Sequence, residues 1–186
     1  MLLEGVPHVA QKPDFCGEAA TESWLSALGS PVDQDQVFAL SGMPPERGMG
    51  ATTRELKVAL ERLGFDVGPV WSTVPAGDAT AMETLFAELH GDLTRHIPSS
   101  VCMHYDRSPA TTEHFRLVLG YDAATDQVIY HEPARKDGAY RRMTRREFID
   151  LWPLKYEAHQ STVIRLRLAG GAPPEPSRPP GFGPAA

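Results

Sequence analysis

A change of hydrophobic period near the middle of the chain constrains the fold more than any other feature. Up to about residue 98 the apolar residues recur at helical spacing. Ala20, Trp24 and Leu28 step by four after Cys16-Gly17 and give one buried face. Leu56, Ala59, Leu60 and Leu63 keep a single stripe that Gly64 ends, and Met82, Leu85, Phe86, Leu89 and Leu93 form another. Beyond that point the period falls to two. Residues 100–105 read as a strand, Phe115, Leu117, Leu119 and Tyr121 alternate, and a polar turn leads into Val128-Ile129-Tyr130, a hairpin signal. A short helix over 145–152 and a closing strand over 162–168 complete the pattern. Helices followed by an antiparallel sheet make an α+β fold, a helical N-terminal half packed on a C-terminal antiparallel sheet.

Local signals refine this. Asp33 is placed to cap a short helix through Leu40, and Thr52-Thr53-Arg54-Glu55 has the form of a capping box. Asp137-Gly138 marks a second tight turn. A chain of 186 residues suits one core, and we place the domain at 1–168. Residues 169–186, rich in Pro and Gly, have too little apolar surface to offset the entropy of ordering and read as a flexible tail.

The formal net charge of -6 argues against nucleic acid or an anionic membrane as partner, since both select basic surfaces. No apolar run approaches the ~20 residues that span a bilayer, and the first residues lack a signal peptide's basic start and apolar stretch. Two cysteines, Cys16 and Cys102, give neither a disulfide framework nor metal-pair spacing. The expectation is a reducing cytoplasm, with no metal and no cofactor. Cys102 reads as core. The basic residues Arg135, Lys136, Arg141, Arg142, Arg145 and Arg146 read as a solvated loop and helix face.

Cys16 opens a predicted helix, where unpaired N–H groups favour negative charge and shift a thiol toward thiolate. Gly17 allows another part of the chain to approach the sulfur. From Cys-Gly alone a buried structural cysteine is the commoner outcome. Gln11 alters the balance, because acyl transfer needs a donor beside the nucleophile to hold the developing oxyanion. The general base must then be a histidine distant in sequence. His90 and His96 fall outside a helix's apolar stripe, His104 ends a strand, His159 lies in a loop and His8 precedes Gln11. His114 begins a strand, which sets its ring at the sheet rim on a rigid support.

Glu132, at the end of the next strand, is the candidate to orient the imidazole. Its face depends on the turn. With a four-residue loop over 123–126, Asp122 pairs with Gln127 and His131 shares the face of His114; a different loop length or a bulge brings Glu132 round.

In order, Val6-Pro7-His8-Val9-Ala10-Gln11, Cys16-Gly17, His114-Phe115 running to Gly120-Tyr121-Asp122, and Glu132-Pro133 resemble the bacteriocin-processing (double-glycine leader) peptidase-like branch of papain-like cysteine peptidases, over residues 6–133. The resemblance implies a papain-like fold and a thiol peptidase acting on a peptide or protein substrate through an acyl-enzyme. It assigns Cys16 as nucleophile, His114 as base, Gln11 as oxyanion donor and Glu132 as the orienting acid. Two positions depart from that family's pattern. Glu18 stands where proline is usual, suiting the helix dipole but opposing a nearby thiolate; Glu132 stands where aspartate or asparagine is usual. Residues 42–98 match no named pattern and are expected to shape the cleft. The same site would also serve an acyl transferase, and the same scaffold a non-catalytic peptide-binding domain.

Overall fold

The computed structural model describes residues 1–171; the rest of the expected tail lies outside the described residues. Among the described residues five α-helices, α1 (Cys16–Ala27), α2 (Gln34–Ser41), α3 (Thr53–Arg62), α4 (Ala79–Thr94) and α5 (Arg145–Leu151), are joined by eight strands. The strands are β1 (Phe65–Asp66), β2 (Trp71–Pro75), β3 (Ser99–His104), β4 (Glu113–Asp122), β5 (Gln127–His131), β6 (Arg141–Thr144), β7 (Gln160–Arg167) and β8 (Ala169–Gly170). Six of them form an antiparallel sheet in the order β2-β7-β3-β4-β5-β6, while β1 and β8 pair apart. The fold is α+β, as the change of period predicts. Strand β8 begins one residue past the boundary expected at 168.

The helices α1, α2 and α3 pack on one another, and α1 also lies against β3 and β4. Gly17 makes this approach possible: a Cβ there would lie 2.6 Å from Leu56 Cδ2 and 3.3 Å from Phe115 Cδ2. The buried side of α1 carries Ala19, Ala20 and Leu25, whereas Leu28, predicted on that side, is the exposed cap residue. Asp33 caps α2 with a complete capping box, its side chain accepting from Gln36 N–H at 2.9 Å and the Gln36 side chain accepting from Asp33 N–H at 3.0 Å. The box expected at α3 does not form, because the Thr52 hydroxyl donates to the Glu55 carboxylate instead of accepting from the backbone.

Residues 1–12, largely without regular structure, run as a strap across both halves. On the helical side Val9 N–H donates to Ser23 Oγ at 3.1 Å and Lys12 N–H to Gln34 Oε1 at 2.8 Å. On the sheet side Val6 N–H donates to the Tyr140 hydroxyl at 2.8 Å, His131 Nε2 to the Val6 carbonyl at 3.0 Å, His8 Nε2 to the Glu132 carbonyl at 2.9 Å and Gln11 N–H to the Pro133 carbonyl at 2.9 Å.

Among the described residues no helix is long and apolar enough to cross a membrane. Of the six basic residues between 135 and 146, Arg135 and Arg141 pair with Asp137, Arg142 with Asp122, and Arg145 with Glu83 and Asp126, so four of the six sit in ion pairs.

Candidate active site

Cys16 is the first residue of α1, and its thiol faces a cleft of about 850 Å³. The strap delivers Gln11 to the same cleft, and the start of β4 delivers His114. Three of the four predicted residues therefore share one cavity. One wall is set by a row of residues aligned across four strands: Trp71 on β2, Ile164 on β7, Cys102 on β3 and Phe115 on β4 stand opposite one another in turn and so project from one face of the sheet. Met49 and Thr52 from the segment before α3, with Tyr156, complete the rim. The segment 42–98 thus contributes a wall of the cleft, as expected.

Glu132 lies behind the wall, joined to His114 by a hydrogen bond from Nε2 to Oε1. Its face is set by a bulge. The turn over 123–126 pairs Asp122 with Gln127, the register that would bring His131 round. Between Val118 and Gly120 the register slips, so Leu119 is the extra residue and Leu117 faces His131. From there onward Glu132 shares the face of His114 and Arg116. The bulge has its own support: the Leu119 carbonyl accepts from Leu3 N–H at 2.9 Å, and a Cβ on Gly120 would lie 2.7 Å from the Met1 carbonyl oxygen.

Arg116 was not among the predicted residues. Its Nε donates to Glu132 Oε2 at 2.7 Å, and its other nitrogens donate to the carbonyls of His104 at 3.2 Å and Tyr105 at 2.8 Å. The signal was present in the sequence as a lone charge in an apolar strand, two residues after the candidate base and hence on its face. Burial pushes the Glu132 carboxyl up, but its hydrogen bond to His114 and the charges of His114 and Arg116 outweigh this and hold it below the usual carboxylate range. A carboxylate at Nε2 keeps a proton on that nitrogen and leaves Nδ1 as the basic atom.

The thiol departs from the sequence expectation. Burial pushes Cys16 up to about 11, the Glu18 charge adds to this, and the backbone N–H groups of Phe115, Gly17 and Cys16 offset only part of it. The half-buried thiol, although it reaches the cleft, is thus pushed up more by its surroundings than the helix start pulls it down. Among the described residues the partner of Sγ is Phe115 N–H at 3.5 Å, and no hydrogen bond joins Cys16 to His114. The upward push on the thiol favours its neutral form, while Glu132 fixes the orientation of the His114 ring. Gln11 Oε1 is buried without a partner. Among the described residues no group of three or more His, Cys, Asp or Glu side chains is placed to hold a metal ion.

Residues 3–160 match the model of the Peptidase C39-like family. The chain belongs to the Peptidase C39-like family. A solved structure with the same fold is the peptidase domain of Streptococcus ComA, described as a bi-functional ABC transporter involved in a quorum-sensing pathway. It superposes with a TM-score of 0.51 at 18% identity, covering 87% of this chain and 97% of that one. No curated protein matches the chain. Family and fold together support a cysteine peptidase reading.

Proposed function

We propose that this C39-like chain is a thiol peptidase cleaving amide bonds of peptide or protein substrates through an acyl-enzyme, with Cys16, His114, Glu132 and Gln11 as its machinery. The observation that carries the reading is the convergence of Gln11, Cys16 and His114 on one cleft, with Glu132 bound to the far nitrogen of His114. As substrate closes the cleft, His114 Nδ1 takes the Cys16 proton and Sγ attacks the carbonyl carbon. The oxyanion is held by the Gln11 side-chain amide and the Cys16 backbone N–H. The imidazolium returns its proton to the leaving amine, the C–N bond breaks, and an acyl-thioester remains. His114 then deprotonates a water that attacks the thioester, and the acid product departs with the thiol restored.

Glu132 keeps the imidazole in the tautomer this sequence needs and stabilises the imidazolium. The acidic net charge favours a peptide over a nucleic acid as partner, and two free thiols suit a reducing compartment such as the cytoplasm. Attack of an amine in place of water would give an acyl transferase by the same steps.

The test compares wild type with Cys16→Ala and His114→Ala on a peptide library read by mass spectrometry. Cleavage is expected to vanish in both variants while circular dichroism is unchanged; cleavage that survives in Cys16→Ala removes the reading. The absence of a Cys16–His114 hydrogen bond among the described residues, with burial pushing the thiol up, favours a second reading, a domain that binds peptides in this cleft without cutting them. Retention of peptides by the wild type with none cleaved would establish that alternative.

A further inference from the structure

Glu18, where the resembling family's usual proline is absent, is fully buried two residues after Cys16 in the first turn of α1. One carboxyl oxygen, Oε1, accepts from Ala51 N–H at 2.7 Å. The other, Oε2, is buried and meets no hydrogen-bond partner. The segment it grips presses on the helix start: a Cβ on Gly50 would overlap the Asp14 carbonyl oxygen and lie 3.2 Å from Glu18 Oε1. Met49, Gly50, Ala51 and Thr52 from that segment line the cleft, whereas Glu18 lies beneath it.

No cation compensates this carboxyl among the described residues. Its own helix carries Cys16 and, one turn on, Glu22, which accepts from Gln34 N–H at 2.8 Å, with Asp14 just before the helix; the packed elements carry Asp35 on α2, Arg54, Glu55, Lys57, Glu61 and Arg62 on α3, Cys102 and His104 on β3, and Glu113, His114 and Arg116 on β4. None forms an ion pair with Glu18 among the described residues. A buried carboxylate with an unpartnered oxygen and no counter-charge favours its neutral form.

Resting on the assignment of Cys16 as nucleophile, we propose that Glu18 is a positioning residue that governs the ionisation of Cys16 from beneath the cleft. Uncharged, it ties the Gly50–Ala51 wall to the nucleophile's helix; ionised, it opposes the thiolate. Burial pushes Glu18 up to about 7, and its charge raises Cys16, so the Glu18 charge that bears on the thiol appears near neutrality. The neutral form of Glu18 is the productive one, and the reaction slows on the alkaline side of neutrality, where the Glu18 charge makes the Cys16 thiolate harder to form.

The test follows the pH dependence of Cys16 alkylation by iodoacetamide in the full chain, with the labelled cysteine located by mass spectrometry. Glu18→Gln keeps an acceptor for Ala51 N–H and removes the charge. Its alkylation midpoint is expected to fall by about one pH unit, which is about tenfold faster labelling at a fixed pH between neutrality and the wild-type midpoint. A carboxyl that serves only as a tether for the loop would leave that midpoint unmoved, and equal midpoints overturn the proposal. If the Gln variant does not fold, the carbon-13 shift of the Glu18 carboxyl in labelled wild type decides. Titration near neutrality supports the proposal, and titration near the ordinary ~4.3 overturns it. His114→Ala separates this from the peptidase reading: labelling indifferent to His114 removes the catalytic pair, yet the Glu18 effect on Cys16 is still read.

Discussion

Arg116 Nε holds Oε2 of Glu132 at 2.7 Å, which leaves Oε1 for His114. Strand alternation puts Arg116 and His114 two residues apart on one face, so a single carboxylate bridges the base and a buried cation. Oε1 also accepts from Ala134 N–H at 3.0 Å. Both carboxylate oxygens are thus engaged, which favours the charged form in a position that burial alone would neutralise.

Arg116→Met strands that carboxylate. Breaking a buried pair by removing one partner costs about 3–5 kcal/mol, and both side chains are buried. Urea unfolding of the Met variant is expected to show a loss of that size. Glu132 should also regain its proton at higher pH, moving the acid limb of activity upward. A loss under 1 kcal/mol would show that water reaches Glu132.

Gln11 contributes to the site but little to the fold. Its backbone N–H donates to Pro133, while its side-chain oxygen has no partner. Gln11→Ala is expected to lower kcat by about 10²-fold, the usual effect of removing one oxyanion donor, with the melting temperature unchanged. Steady-state kinetics beside a thermal melt check both halves of that statement.

Glu18 links stability to pH. Burial pushes its folded value up to about 7, above the ordinary carboxyl value. For an acid shifted upward, the stabilisation is complete below the unfolded value and is lost as pH rises toward the folded one. Wild type is therefore expected to lose about 3 kcal/mol relative to Glu18→Gln between pH 4 and pH 8. Parallel urea titrations of the two proteins across that range measure it, and parallel curves would place Glu18 in ordinary titration.

The two helix starts make a control pair. Asp33→Ala removes a complete capping box and is expected to cost about 1 kcal/mol. Thr52→Ala removes a hydroxyl that caps no backbone group, and is expected to cost less than about 0.5 kcal/mol. Equal losses in chemical denaturation would mean that Thr52 caps α3 in solution.

The sequence carried the α+β order because hydrophobic period survives in any one chain, and the clustering of Gln11, Cys16 and His114 because element ends are legible. The face of Glu132 was not. Both faces of β4 are buried, from His114 through Gly120, so alternation there has no polar side to mark a slipped residue. The bulge at Leu119 depends on the N-terminal residues lying beside it, a contact distant in sequence. The burial that pushes the Cys16 thiol up was hidden for a related reason: the helix start is local and visible, whereas that burial is assembled from elements far along the chain. Strand β2 (Trp71–Pro75) escaped notice because it is an edge strand of mostly polar or exposed residues that ends in proline.

The strap over residues 1–12 ties Ser23 and Gln34 to Glu132, Pro133 and Tyr140 without using a reacting atom. The joint between the two halves is thus insured against the loss of the chemistry. A lineage that exchanged Cys16 for serine or alanine would keep its architecture and its cleft intact.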